Sequence, residues 1–185
     1  MPERELIHRS EVADHFRNAV RNHPVVLKDL PLLFAELPTV DDTRAFGRRL
    51  AGVLRAGDLV ILDGPLGAGK TALCQGIGAG LGVRGEITSP TFVIARVHHP
   101  DPARSGRVTL VHVDAYRIGS MAEVDDLDLD ASLDDAVTLV EWGEGKVEQL
   151  ADAHLIVHLE RREDDTRVVA LTGVGGDWAD RLQDC

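Results

Sequence analysis

At 185 residues and 20.1 kDa, with 44% hydrophobic and 28% charged residues, the chain has the size of one α/β domain rather than two. Acidic residues outnumber Lys plus Arg by 31 to 20, and the resulting charge of −11 excludes a broad basic face for gripping phosphate backbones. Cys74 and Cys185 are too few and too far apart for a disulfide framework or a zinc cage, and apolar runs such as Leu59 to Leu62 fall far short of a membrane span. The expectation is a protein of the reducing cytoplasm without membrane association.

In chain order, residues 1–36 read as an N-terminal arm and residues 37–185 as a single domain. The arm contains a helix candidate, Ser10 to Asn22, with Val12, Ala13, Phe16, Ala19 and Val20 at helical spacing before Pro24. Asp41 or Asp42 is expected to cap a helix that turns Phe46, Leu50, Val53 and Leu54 inward, with Gly57 as its stop. Leu59 to Leu62 reads as a buried strand. After a glycine-rich turn, Leu73, Ile77 and Leu81 mark a second helix stopped by Gly82, although Gly76, Gly78 and Gly80 each weaken it by up to ~1 kcal/mol relative to Ala. Further strands are expected at Phe92 to Val97, Val108 to Val113, Val137 to Val140, Leu155 to Leu159 and Val168 to Leu171. The last two should pair through the charged turn Arg162 to Asp165. The fold class is therefore α/β, a mostly parallel sheet with flanking helices and a late antiparallel edge hairpin.

Between the clearest strand and its helix lies Gly64-Pro65-Leu66-Gly67-Ala68-Gly69-Lys70-Thr71, which matches G-x-x-x-x-G-K-[ST] in the structural context that this phosphate-binding loop requires. Its glycines allow backbone N–H groups to converge on the α and β phosphates, and the helix N-terminus adds a favourable dipole. Lys70 would reach the β and γ phosphates, Thr71 would offer its hydroxyl to Mg²⁺, and Ala72 continues the nucleotide-facing turn. Two strands end on acids, Val111-His112-Val113-Asp114 and Thr138-Leu139-Val140-Glu141. Either acid could hold Mg²⁺, directly or through water, while the other positions an attacking water. The Asn-Lys-x-Asp segment that selects guanine is missing, since Asn18 and Asn22 both precede the loop. ATP is accordingly the expected nucleotide, with Trp142 as either a wall for the base or an ordinary core residue.

Taken together, Gly64 to Thr71, Ser89-Pro90-Thr91-Phe92, His112-Val113-Asp114-Ala115-Tyr116-Arg117 and Val140-Glu141-Trp142 resemble the TsaE family, bacterial P-loop ATPases of tRNA threonylcarbamoyladenosine modification. The resemblance spans about Leu37 to Leu159. It implies that Ser89 to Thr91 is a switch sensing the γ-phosphate, that Asp114 is the acid of the H-x-D-x-Y-R signature, and that Glu141 beside Trp142 positions magnesium or water. It also implies partner subunits, TsaB and TsaD, whose complex is reset by slow ATP hydrolysis, with tRNA engaged only indirectly. Pro65, where many members carry Asp, and Ala72, where a second Thr is common, depart from the pattern without removing a necessary phosphate contact.

A small-molecule kinase would share the loop but would want a lid of converging arginines, and Arg161-Arg162 reads better as a strand end. A nucleotide-dependent binding module with negligible turnover is the other rival. His154 and His158 stand four apart without a further ligand, so no metal site is expected there. Cys74 is either a thiol with a lowered pKa at the helix start or a small packed side chain. Ile118 to Gly145 holds nine acids and no Lys or Arg, which makes it either a solvated face or a docking surface for a basic partner.

Overall fold

The computed structural model describes residues 32–88, 95–117 and 133–185. The Ser10 to Asn22 helix, the Ser89 to Thr91 switch and most of the acidic stretch lie outside the described residues. Seven strands form one sheet: β1 (Leu32–Leu37), β2 (Leu59–Asp63), β3 (Ala95–His98), β4 (Thr109–Asp114), β5 (Ala136–Glu141), β6 (His154–Arg161) and β7 (Arg167–Val174). Their spatial order is β1-β7-β6-β2-β5-β4-β3. The four central strands, β6, β2, β5 and β4, run parallel, and antiparallel strands close both sides.

The β6–β7 hairpin forms as expected, through a turn in which Arg162 N–H donates to Thr166 O at 2.9 Å. It is not the sheet's edge. β1 pairs outside β7, with Leu32 opposite Thr172, so the sheet begins inside the stretch read as an arm. An edge strand preceding the regular pattern carries a weak signal, because only one of its sides is hydrogen-bonded. On the opposite edge, β3 covers Ala95–His98 of the expected Phe92 to Val97 strand, whose first residues lie outside the described set.

Helix α1 (Val40–Ala51) starts one cap earlier than the acids suggested. Thr39 is the N-cap, its Oγ1 accepting from Asp42 N–H at 3.1 Å while Asp42 Oδ2 accepts from Thr39 N–H at 2.9 Å. Asp42 is the third residue of this reciprocal box, a role an acid fills as well as it fills the cap. The helix ends at Ala51, where Gly52 N–H bonds back to the last turn, and Gly57 instead takes a positive φ of 92° to turn the chain into β2. Helix α2 (Lys70–Leu81) ends at Gly82 in the left-handed conformation, as its spacing implied.

Strand alternation divides the core between two faces. Val60 and Leu62 join Phe46, Leu50, Leu73 and Ile77 under α1 and α2, whereas Leu59 and Ile61 pack with Val111, Val113 and Val140 on the other side. The glycines of α2 are explained by this packing. A Cβ on Gly76 would stand 2.2 Å from Arg44 O, one on Gly80 would stand 2.6 Å from Ala51 Cβ, and one on Gly47 of α1 would stand 2.5 Å from Leu73 O. The two helix backbones therefore touch, and the propensity lost at these positions is returned as contact. Beyond β7, the short helix α3 (Trp178–Arg181) sets Trp178 against Gly173 and pairs buried Arg181 with buried Asp58, tying the C-terminus to the start of β2.

At the end of β2 the register places Asp63 opposite His158, and their side chains meet at 2.5 Å. Burial alone would raise the Asp63 carboxyl, but the hydrogen bonds from His158 and Glu144 hold it at about 2. The partner carboxyl moves the other way, since burial first and then the adjacent Asp63 carboxylate raise Glu144 to about 7.

Two outcomes follow. Gly76→Ala should destabilise the protein by about 2–3 kcal/mol in urea titrations, because its methyl meets a carbonyl rather than a yielding side chain. The raised Glu144 binds a proton in the folded state that the unfolded chain releases above about 4.5, so its contribution to stability is present below that pH and is lost as pH rises through about 7. Asp63 contributes in the opposite sense, through stability lost only as pH falls towards about 2. Melting temperatures should thus fall between pH 5 and pH 8, and Glu144→Gln should flatten that slope; an unchanged slope would break the assignment.

Candidate nucleotide-binding site

The loop between β2 and α2 is shaped by its glycines. Gly64, Gly67 and Gly69 take φ values of 135°, 80° and 111°, a region closed to most side chains. Gly64 has a second constraint, since a Cβ there would lie 2.2 Å from Leu159 O of the neighbouring strand. Ala68 N–H donates to Pro65 O at 3.2 Å, closing the turn, and Leu73 N–H donates to Gly69 O at 3.0 Å, starting the helix. Leu66 projects at 92% exposure, while Thr71 and Ala72 stand half-buried at the helix start.

Lys70 is 5% exposed, and its Nζ donates to Gly64 O at 2.6 Å and to Pro65 O at 3.0 Å. Burial lowers its pKa, against the opposing pull of the Glu141, Asp63 and Asp114 carboxylates. The same ammonium lies 3.8 Å from the centre of the Trp142 ring, a cation–π contact, and Tyr116 meets that ring edge-on at 5.3 Å. Trp142 follows β5 at a φ of 61°, held by its N–H to Leu62 O at 3.2 Å. The indole therefore stands against the Lys70 ammonium at the start of α2.

The two strand-end acids are brought together. β4 and β5 pair in parallel with Asp114 directly opposite Glu141, both at C-terminal strand ends, where open α/β sheets bind ligands. Asp114 is half-buried and its Oδ1 accepts Tyr116 N–H at 3.0 Å, which turns the chain after β4. Glu141 is 4% exposed and its Oε1 accepts from His112 Nε2 at 2.9 Å, with Cys74 Sγ at 3.9 Å. Ser89 and Thr91 lie outside the described residues.

Cys74 is a packed residue rather than a reactive one, because burial, followed by the Glu141 charge, raises its thiol well above the ordinary range. The three arginines of the hairpin are engaged within it or with β1, Arg161 with Asp165, Arg162 with Glu36 at 2.6 Å, and Arg167 Nη1 donating to Asp165 O at 2.7 Å. Among the described residues, the His, Cys and acidic side chains close enough to share one ion are Cys74, His112 and Glu141; Asp114 is outside that group. Sequence reading missed Asp63, His158 and the His112–Glu141 contact. The signal for His112 was present as a lone imidazole inside the apolar run Val111 to Val113.

Comparison with known proteins agrees with this geometry. A family model described as "Threonylcarbamoyl adenosine biosynthesis protein TsaE" matches residues 37–169. A tRNA threonylcarbamoyladenosine biosynthesis protein TsaE of Streptomyces coelicolor is 58% identical over 141 residues, covering 74% of this chain and 93% of that protein. Its counterpart in Mycobacterium bovis is 52% identical over 72% of this chain and 83% of that protein. The crystal structure of Bacillus subtilis YdiB superposes with a TM-score of 0.68 at 28% identity, over 84% of this chain and 95% of that one. No helix among the described residues is long and apolar enough to cross a membrane. With a family model over most of its length and these relatives, the chain belongs to the TsaE family of threonylcarbamoyl adenosine biosynthesis proteins.

Proposed function

We propose that this protein binds and hydrolyses ATP with Mg²⁺ in the cytoplasm, and that hydrolysis resets a complex of TsaB and TsaD that modifies adenosine 37 of tRNA. The observation that supports this reading most is the convergence at one sheet edge of a three-glycine loop, its Lys70 and two registered carboxylates. Binding falls to the backbone N–H groups of Gly64 to Ala72 and to the start of α2, whose dipole favours an anion. Lys70 would exchange the loop carbonyls for phosphate oxygens, an exchange that its nearby carboxylates keep from becoming irreversible.

Magnesium supplies charge neutralisation at phosphate oxygens, and the donors that would hold it are all hard oxygens: the Thr71 hydroxyl, Asp114 and Glu141. Asp114, the more open acid, is the better candidate for the ion. Glu141 has one oxygen committed to His112, so its Oε2 is the atom left to orient a water. Hydrolysis by the isolated chain would be slow and would accelerate once TsaB and TsaD bind and hold the catalytic groups in place. With a charge of −11, the chain would meet tRNA only through that complex.

Lys70→Ala should reduce single-turnover ATP hydrolysis by about 10²–10³-fold while the circular dichroism spectrum stays unchanged, because Lys70 acts on phosphate charge. Wild-type rates in that variant would reject the site. Adding ATP and Mg²⁺ should change Trp142 emission as Lys70 leaves the ring, and the response should vanish in Trp142→Phe. A response persisting in that variant would assign the signal to Trp178, the other tryptophan.

A further inference from the structure

His112 has no role in phosphate or base binding, yet it is wholly buried in the middle of β4. Burying an imidazole inside a sheet is unfavourable unless its polar atoms are used. Nε2 is used, at 2.9 Å from Glu141 Oε1. Nδ1 has no hydrogen-bond partner among the described residues, which suits a ring nitrogen carrying no hydrogen and places the single N–H on Nε2, aimed at the carboxylate. The ring's one polar contact is therefore with Glu141.

Strand geometry makes the contact. His112 and Asp114 are two residues apart on β4 and share a face, and β4 pairs in parallel with β5, so His112 lies one step below the tip at which Asp114 faces Glu141. Glu141 is itself 4% exposed, and a buried carboxylate needs donors. Its side-chain partners are His112 and the weak donor Cys74 at 3.9 Å, so the orientation of the carboxylate rests on the imidazole. These three side chains could also be read as a soft-metal site. Against that, a ligating histidine anchors its second nitrogen on an outer partner, which Nδ1 lacks, and the Lys70 ammonium adds positive charge beside Glu141 and Cys74.

We propose that His112 is a positioning residue that fixes the Glu141 carboxylate, committing Oε1 to the imidazole and leaving Oε2 for the attacking water. This rests on the ATPase reading above. The alternatives His112→Gln and His112→Asn separate the role from mere packing. Gln sets an amide N–H near the place of Nε2, whereas Asn sets it near Nδ1, away from Glu141.

In single-turnover hydrolysis, His112→Gln should keep most of the wild-type rate and His112→Asn should lose about 10- to 100-fold, the usual effect of an outer partner. The dissociation constant for ATP, measured by calorimetry, should be unchanged in both, because the loop is untouched. Equal rates in the two variants, or a loss in ATP affinity matching the loss in rate, would overturn the proposal. A second measurement does not need the variants of His112 to fold. In protein labelled with ¹⁵N-histidine, one Nε2–H proton should resonate far downfield, protected from exchange, and should move in Glu141→Gln; its absence or indifference would also overturn the proposal. A wild-type chain that binds ATP but never hydrolyses it, even with TsaB and TsaD, would instead sink the ATPase reading and this inference with it.

Discussion

The positive charge of one buried lysine organises this molecule. Lys70 is 5% exposed, and such a cation is tolerated only where opposite charge and carbonyl oxygens surround it. Gly64 O and Pro65 O accept its hydrogens, Trp142 offers its ring face, and Asp63, Asp114 and Glu141 act on it from the ends of three strands. Those strands are β2, β4 and β5, and their parallel pairing brings all three carboxylates to the same sheet edge. Each carboxylate needs a counterpart of its own, which is why the edge also holds His158 under Asp63 and His112 under Glu141. The polar edge is thus built outwards from the lysine in two layers.

Such an edge needs a rigid support, and the glycines provide it by letting backbones touch. Gly64 lies against Leu159 O, while Gly76 and Gly80 bring α2 onto α1 at Arg44 and Ala51. A helix with three glycines would be a poor helix alone. Packed on α1, it holds Lys70 and Thr71 near the strand ends, because at Gly47, Gly76 and Gly80 the helices approach with no side chain of the glycine between them to absorb a shift.

The parts legible in the sequence are those whose signal is local. Leu59 to Leu62 and the helix carrying Leu73, Ile77 and Leu81 are legible from periodicity, and the turn between them from its glycines. What escaped depends on registers between distant segments. β1 is an edge strand whose pairing with β7 joins residues far apart in the chain. Thr39 was passed over because Asp41 and Asp42 are good caps in isolation, and only the backbone path selects the threonine. Trp142 reads in the sequence as either a wall for the base or a core residue, and its contact with Lys70 depends on a positive φ that no local pattern announces. The pairings Asp63–His158 and His112–Glu141 required the strand order itself.

The overall charge sharpens the meaning of this arrangement. A chain at −11 repels a polyphosphate at long range, so attraction must come from groups that act within a few ångströms. Lys28, Lys70 and Lys146 are its lysines, and Lys146 Nζ is taken by Ala115 O at 2.7 Å. At the loop stand Lys70, the start of α2 and its backbone N–H groups, with Arg161 beside Gly67 and Arg167 beside Gly69. Affinity of that kind depends on shape: it rewards a ligand whose phosphates fit the loop and gives little to an anion that merely approaches. The same net charge disfavours encounter with nucleotide or RNA at long range, so any attraction for phosphate would have to arise at short range, from the loop's own charge and dipoles.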